Sequence, residues 1–332
     1  MKALTPIGAQ GLGAYVALPE EGQGPLLLVL QEIFGVNGNI RALCEAYAEE
    51  GYVAVAPDLF WRQQPGVELD PSAADAMPQA LAFLDKFDDG EAMEDIRATI
   101  GFAREQLECT GEVAAVGYCL GGRLAFRSLL ETEVGCSVAY YGVGLETLVT
   151  RPLPAGKSAL LHVPQEDGYC PPAAQAILRE HARAGLKVHF YPGCDHAFAR
   201  KGSAHFDANS ARLADDRTIN FLVPRVGPVY DLEALWEKHL DYEFATRDAD
   251  LTMGTMVAQP YVNHIPTMTG GVGYTDLHRF YSEYFIGANP ADTAQLTISR
   301  THGARQIVDE VIFSFTHDRR IEYAVVAARP VD

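Results

Sequence analysis

The sequence predicts an α/β chain: a mostly parallel sheet covered by helices on both faces, followed by a smaller α+β domain. Three observations carry that expectation. Short apolar runs alternate with segments of helical spacing through residues 1–222, as in parallel strands joined by crossover helices. One such run leads into VGYCLGG at residues 116–122, where glycines flank a cysteine between a strand and a helix. A proline- and glycine-containing break, VPRVGPV at 223–229, then separates this region from one with helices first and strands last.

Taken in order, residues 15–18 behind glycines suit an early edge strand. Residues 25–31 (PLLLVLQ) are continuously apolar up to the last, as a central strand buried on both faces requires. Residues 39–50 have helical spacing, with Gly51 placed to end the helix. YVAVA at 52–56 is a strand stopped by Pro57. Residues 58–71 (DLFWRQQPGVELDP) form an aromatic, turn-rich loop of the kind that lines sites above a sheet. Helices are expected over 72–87, 91–107, 122–130, 171–184 and 203–222, and strands over 113–116, 136–141, 158–163 and 186–191. Beyond the break, 231–246 and 251–257 are helical in spacing, while 295–301, 306–316 and 321–328 are strand-like. The domains are expected at 1–224 and 229–332.

Composition narrows the function. A chain of 332 residues with 48% hydrophobic residues supports two folded domains. A net charge of -18 argues against nucleic acid or an anionic membrane as partner, yet leaves room for an anionic small molecule met by local arginines. The six cysteines show no C-x-x-C spacing, and neither a G-x-G-x-x-G nor a phosphate-binding loop is present, so no metal and no cofactor is expected. No segment reaches signal-peptide or membrane-spanning character. Reduced thiols and a cytoplasmic location are the expectation.

Cys119 is the candidate nucleophile. A tight strand-to-helix turn needs its flanking glycines and exposes the middle residue at a helix N-terminus, where thiolate is favoured and the Leu120 amide is free to hold an oxyanion. The alternative is a buried structural cysteine. A thiol nucleophile needs a base and an orienting acid, taken from loops at the same sheet edge in the order nucleophile, acid, histidine. After the strand at 158–163 comes Asp167, with Glu166 as rival. After the strand at 186–191 comes His196. His162, inside a strand, reads as a packing residue, and Asp195 is too close in sequence to orient its neighbour's ring. Glu32 follows the strand at 25–31 and reads either as a solvated or capping carboxylate or as the holder of the thiol proton. The Ile33 amide is the second candidate oxyanion donor.

QEIFGVN (31–37), PDLFWRQQPG (57–66), VGYCLGGRLAF (116–126), DGYCP (167–171) and DHAFAR (195–200) resemble the dienelactone hydrolase, or carboxymethylenebutenolidase, family. The resemblance covers about residues 1–222. It implies an α/β-hydrolase fold, a Cys119–Asp167–His196 triad, contact of Glu32 with the resting thiol, and a substrate carboxylate on Arg200. Within the same motifs Arg62, Trp61 and Tyr118 are further candidate substrate contacts. The family's best-known enzymes carry a second substrate-binding arginine after the aspartate-proline turn, whereas residues 70–83 (DPSAADAMPQALAF) contain none. The expected activity is thiol-dependent hydrolysis of small lactones or esters. The alternatives are a general carboxylesterase or thioesterase, and a ligand-binding protein.

Residues 229–332 resemble the nuclear-transport-factor-2-like cone shared with polyketide cyclases. The likeness lies in the long first helix, YVNHIP (261–266), a glycine turn GGVGY (270–274), a helix at 277–285 and closing strands. It implies an apolar pocket, which Asn263, His264, Tyr281 and His302 could face or could merely border as caps and core groups. It also implies a possible homodimer formed through this domain.

Overall fold

Apolar runs buried on both faces become the middle of one sheet. The computed structural model describes residues 3–8, 11–265, 267–319 and 321. The chain divides into two units, Met1–Val229 and Tyr230–Asp332. The first begins with β1 (Thr5–Ile7), β2 (Leu12–Ala17), β3 (Gln23–Leu30), α1 (Gly38–Glu49) and β4 (Val53–Pro57). It continues through α2 (Ala76–Leu84), α3 (Asp89–Gln106), β5 (Glu108–Tyr118), α4 (Leu120–Glu131) and β6 (Cys136–Tyr140). It closes with α5 (Leu145–Leu148), β7 (Ser158–Pro164), α6 (Pro172–Glu180), β8 (Leu186–Tyr191) and α7 (Ala208–Val226).

The strand order is β1-β2-β4-β3-β5-β6-β7-β8. β1, β2 and β4 pair antiparallel, and every pairing from β4 through β3 to β8 is parallel. This is the α/β-hydrolase arrangement, with β3 and β5 side by side near its centre. Leu26, Leu27, Leu28, Val29 and Leu30 of β3 are all buried, which explains the unbroken apolar run.

Several boundaries differ from the sequence expectation. β1 lies outside β2, so the strand through Tyr15 is not an edge. α2 begins at Ala76, because the Asp70 carboxylate accepts hydrogen bonds from the Ser72 amide and hydroxyl at 2.9 and 2.7 Å and holds a turn before it. α7 runs through Pro224 to Val226, past the expected domain end at 224, and the division falls after Val229.

The second unit opens with α8 (Leu232–Leu240), whose Asp231 cap accepts from the Ala234 amide at 2.9 Å. The helix continues as a π-helical segment, Asp241–Thr246. α9 (Ala249–Met253), a hairpin of β9 (Tyr261–His264) and β10 (Thr269–Val272), and α10 (Tyr274–Arg279) follow. α10 also runs on in π form, Phe280–Phe285, and a second hairpin pairs β11 (Ala294–His302) with β12 (Ile307–Ser314). Met253, Leu277, Phe280, Tyr281, Phe285 and Ile286 form its core. The expected glycine turn is instead strand β10, with only Gly273 left outside as the cap of α10. The expected last strand falls outside the described residues from 322 onward.

Candidate active site

The turn after β5 sets the geometry. Cys119 adopts φ 56° and ψ -115°, a conformation that costs a side-chain-bearing residue about 1–3 kcal/mol. Its neighbours show why only glycine fits. A Cβ on Gly117 would stand 1.9 Å from the Gly121 carbonyl oxygen, and one on Gly121 would stand 2.1 Å from that of Leu30. The Cys119 amide is anchored to the Tyr140 carbonyl at 3.0 Å. Leu120 begins α4, so its amide precedes the helical ladder. Among the described residues neither this amide nor that of Ile33 has a backbone acceptor.

The loops after β7 and β8 bring the acid and the base together. The Asp167 carboxylate is buried and its Oδ2 lies 2.8 Å from His196 Nδ1, while Oδ1 accepts from the Tyr169 amide at 2.8 Å. Glu166 is exposed. Asp195 is turned to the His196 amide at 2.6 Å and toward His205 at 3.5 Å. Burial works against the His196 imidazolium, but hydrogen bonds to Asp167 and to the Cys119 sulfur outweigh it and raise the ring to about 10. His162 is a core residue: its ring nitrogens meet the Tyr191 and Thr218 hydroxyls at 2.7 and 3.0 Å, and burial lowers it well below the usual histidine range. Burial likewise pushes the Cys136 and Cys170 thiols up to about 12 and about 11, which keeps them protonated.

Cys119, Leu120, His196, Glu32, Ile33 and Arg200 line one cavity of about 1180 Å³. Glu32 is buried, with Oε2 3.0 Å from Arg200 Nη1 and Oε1 without a hydrogen-bond partner. The guanidinium thus holds one oxygen of this carboxylate, a partner the sequence reading did not name. Arg200 also lies over the Phe34 ring at 5.2 Å.

Three expected substrate contacts do not reach the cavity. Arg62 pairs with Asp95 and, at 3.7 Å, with Glu91, and it stacks on Trp61 at 4.6 Å. The Trp61 indole donates to the same Asp95 oxygen at 3.0 Å. Both side chains are thus held against α3. Tyr118 precedes Cys119 by one residue, but alternate residues of a strand point to opposite faces. Its ring stacks on Tyr140 at 4.8 Å and its hydroxyl meets that of Tyr47 at 3.1 Å.

Sequence reasoning missed Tyr141. It follows β6 with φ 39°, its ring lies 5.1 Å from that of His196, and its hydroxyl is buried without a hydrogen-bond partner. Burial, followed by the charge of Glu32, holds its phenol well above the usual range. The available signal was its place at the end of the strand beside β5.

In the second unit, the expected pocket residues divide. Tyr281 is core, and His264 packs its ring on Phe280 and Phe285 at 5.2 and 5.4 Å. Asn263 and His302 are exposed on their hairpins.

A parallel sheet with a strand–cysteine–helix turn and a buried Asp–His pair at the same edge defines an α/β-hydrolase-type protein. The Dienelactone hydrolase family matches residues 12–225, and the chain belongs to that family. Carboxymethylenebutenolidase 1 of Cupriavidus pinatubonensis is 39% identical over 212 residues, covering 63% of this chain and 90% of that protein. Carboxymethylenebutenolidase of Pseudomonas putida is 38% identical over 214 residues, covering 64% and 91%. A crystal structure from Klebsiella pneumoniae assigned to the dienelactone hydrolases has 29% identity and a TM-score of 0.56, covering 65% of this chain and 95% of its own.

Proposed function

We propose that the chain hydrolyses lactones or esters through an acyl-thioester on Cys119. That it is a hydrolase of ester or lactone bonds follows from its family. The observation supporting the mechanism is His196, 2.8 Å from the buried Asp167 and lining one cavity with Cys119.

Glu32 Oε1, buried and without a hydrogen-bond partner, is the acceptor we assign to the resting thiol. On substrate arrival the thiol proton passes to His196: the raised value belongs to the ring beside the ionised sulfur, so thiolate formation and imidazolium formation go together, and Asp167 stabilises the imidazolium. The sulfur attacks the carbonyl carbon, and the Ile33 and Leu120 amides hold the oxyanion, each worth about 10²–10³ in rate. The C–O bond breaks as His196 returns its proton to the leaving oxygen, which in a lactone stays on the same molecule. Water then gives a proton to His196 and its oxygen to the acyl carbon, and the sulfur departs and recovers the proton. Arg200, which lines the cavity and holds Glu32, is the contact we assign to a polar substrate substituent. Mass spectrometry of protein quenched during turnover of an aryl ester should find the acyl group on Cys119. Full activity of Cys119→Ala would sink the mechanism.

The second unit is, in this reading, a nuclear-transport-factor-2-like accessory module. Its helix-first order and paired hairpins support that assignment. Exposed Leu296, Ile298, Val308 and Ile312 on β11 and β12 support a homodimer through this face. Light scattering of the full chain and of Leu296→Lys tests it: an unchanged mass in both would remove the proposal. The six cysteines without disulfides support a reducing, cytoplasmic setting.

A further inference from the structure

The cavity beside Cys119 has an apolar wall that stays partly exposed among the described residues. Met77, Leu81 and Leu84 stand at i, i+4 and i+7 of α2, a single stripe of the helix, and all three line the cavity. Ala76 and Ala80, on another stripe, are buried in the sheet core. Met77 and Leu81 remain 46% and 45% exposed. Phe34 and Leu69 extend the apolar lining, and Tyr169, edge-on to the His196 ring at 4.8 Å, supplies a further apolar surface beside the base. Apolar side chains held open to water beside a reactive thiol gain free energy when an apolar ligand covers them.

The charges of the cavity point the same way. Arg200 is paired with Glu32 at 3.0 Å and Arg123 with Asp89 at 2.8 Å. Of the cavity's lysines and arginines, only Lys201 has no ion pair among the described residues, and it is exposed. A volume of about 1180 Å³ exceeds the roughly 300–1,000 Å³ typical of sites for drug-sized ligands.

We propose that the Met77–Leu81–Leu84 stripe binds the acyl portion of the substrate. The preferred substrates are then esters or lactones with a medium-length or ring-bearing apolar acyl group, and small anionic lactones are poor ones. This rests on the reading of Cys119 as nucleophile.

The test is a series of p-nitrophenyl esters, acetate through octanoate, together with an anionic dienelactone, on the full chain. kcat/KM should rise about fourfold for each buried methylene, on the order of 250-fold over the four methylenes from acetate to hexanoate. Met77→Gln with Leu81→Gln should lower the hexanoate-to-acetate ratio at least about tenfold. The wild-type series decides the matter alone if that variant does not fold. Acetate turned over as fast as hexanoate, or the dienelactone preferred to both, would overturn the proposal while leaving Cys119 as nucleophile. No ester hydrolysed and no acyl group on Cys119 would overturn the reading on which it rests.

Discussion

Glu32 Oε2 accepts a hydrogen bond from Arg200 Nη1 at 3.0 Å across 168 positions of chain, while Oε1 of the same carboxylate is buried with no partner. Removing one member of a buried pair strands the other charge, at a cost of about 3–5 kcal/mol. Arg200→Met is therefore expected to lower unfolding free energy by that amount in urea titrations. Adding Glu32→Gln should restore at least about 1 kcal/mol, because the stranded charge is gone. Additive losses would show that the two side chains do not act as a pair.

Asp167 and Glu166 are adjacent, yet only Asp167 is buried against His196. Asp167→Asn should lower kcat on the order of 10³–10⁴-fold by losing the orienting carboxylate. Glu166→Gln should change it less than about twofold, as expected of an exposed group away from the reaction. Steady-state ester hydrolysis separates the two.

His196 carries a stability signature with a definite sign. Its folded-state value of about 10 lies above the ordinary 6.5, so its contribution is fully present below pH 6.5 and is lost as pH rises toward 10. Denaturation midpoints should fall across that window for the wild type and fall less for His196→Asn. Parallel profiles would refute the assignment.

Gly117 and Gly101 make a matched pair. A Cβ at Gly117 would overlap the Gly121 carbonyl, whereas at Gly101, within α3, it would meet nothing within 4 Å. Gly117→Ala should cost about 3 kcal/mol or more. Gly101→Ala should stabilise by about 0.5–1 kcal/mol. Thermal or urea unfolding reads both.

Tyr141 buries a hydroxyl that makes no hydrogen bond. Replacing it by phenylalanine should leave stability equal or higher, since no bond is lost. A fall in kcat/KM of about tenfold is expected from the polar group missing beside Cys119 and Glu32. Unchanged kinetics would make the hydroxyl a bystander.

The sheet was legible because strands buried on both faces are written as continuous apolar runs. Cys119, Asp167 and His196 were legible because each lies in the turn or loop just after a strand, and strand ends fix position in the fold. Side-chain direction was not legible in the same way. Tyr118 is one residue from Cys119 but on the opposite strand face. Trp61 and Arg62 are captured by Asp95, which lies 34 and 33 positions away. Tyr141 comes to lie against the His196 ring because β6 lies beside β5, a neighbour relation set by strand order. The start of α2 was misplaced because Asp70 and Ser72 close a turn that periodicity does not register. Within the second unit, the glycines at 270 and 271 suggested a turn, yet pairing with β9 makes them a strand.

The order in which the site's parts occur has a consequence for the chain during its synthesis. The thiol is made at position 119, but its base and the guanidinium that neutralises Glu32 lie after β8, at 196 and 200. A growing polypeptide has its elbow sequence long before it has a proton acceptor for it. Ribosome-bound or prematurely terminated chains therefore carry an unactivated thiol, and reactivity arises only when the last parallel strand docks at the sheet edge.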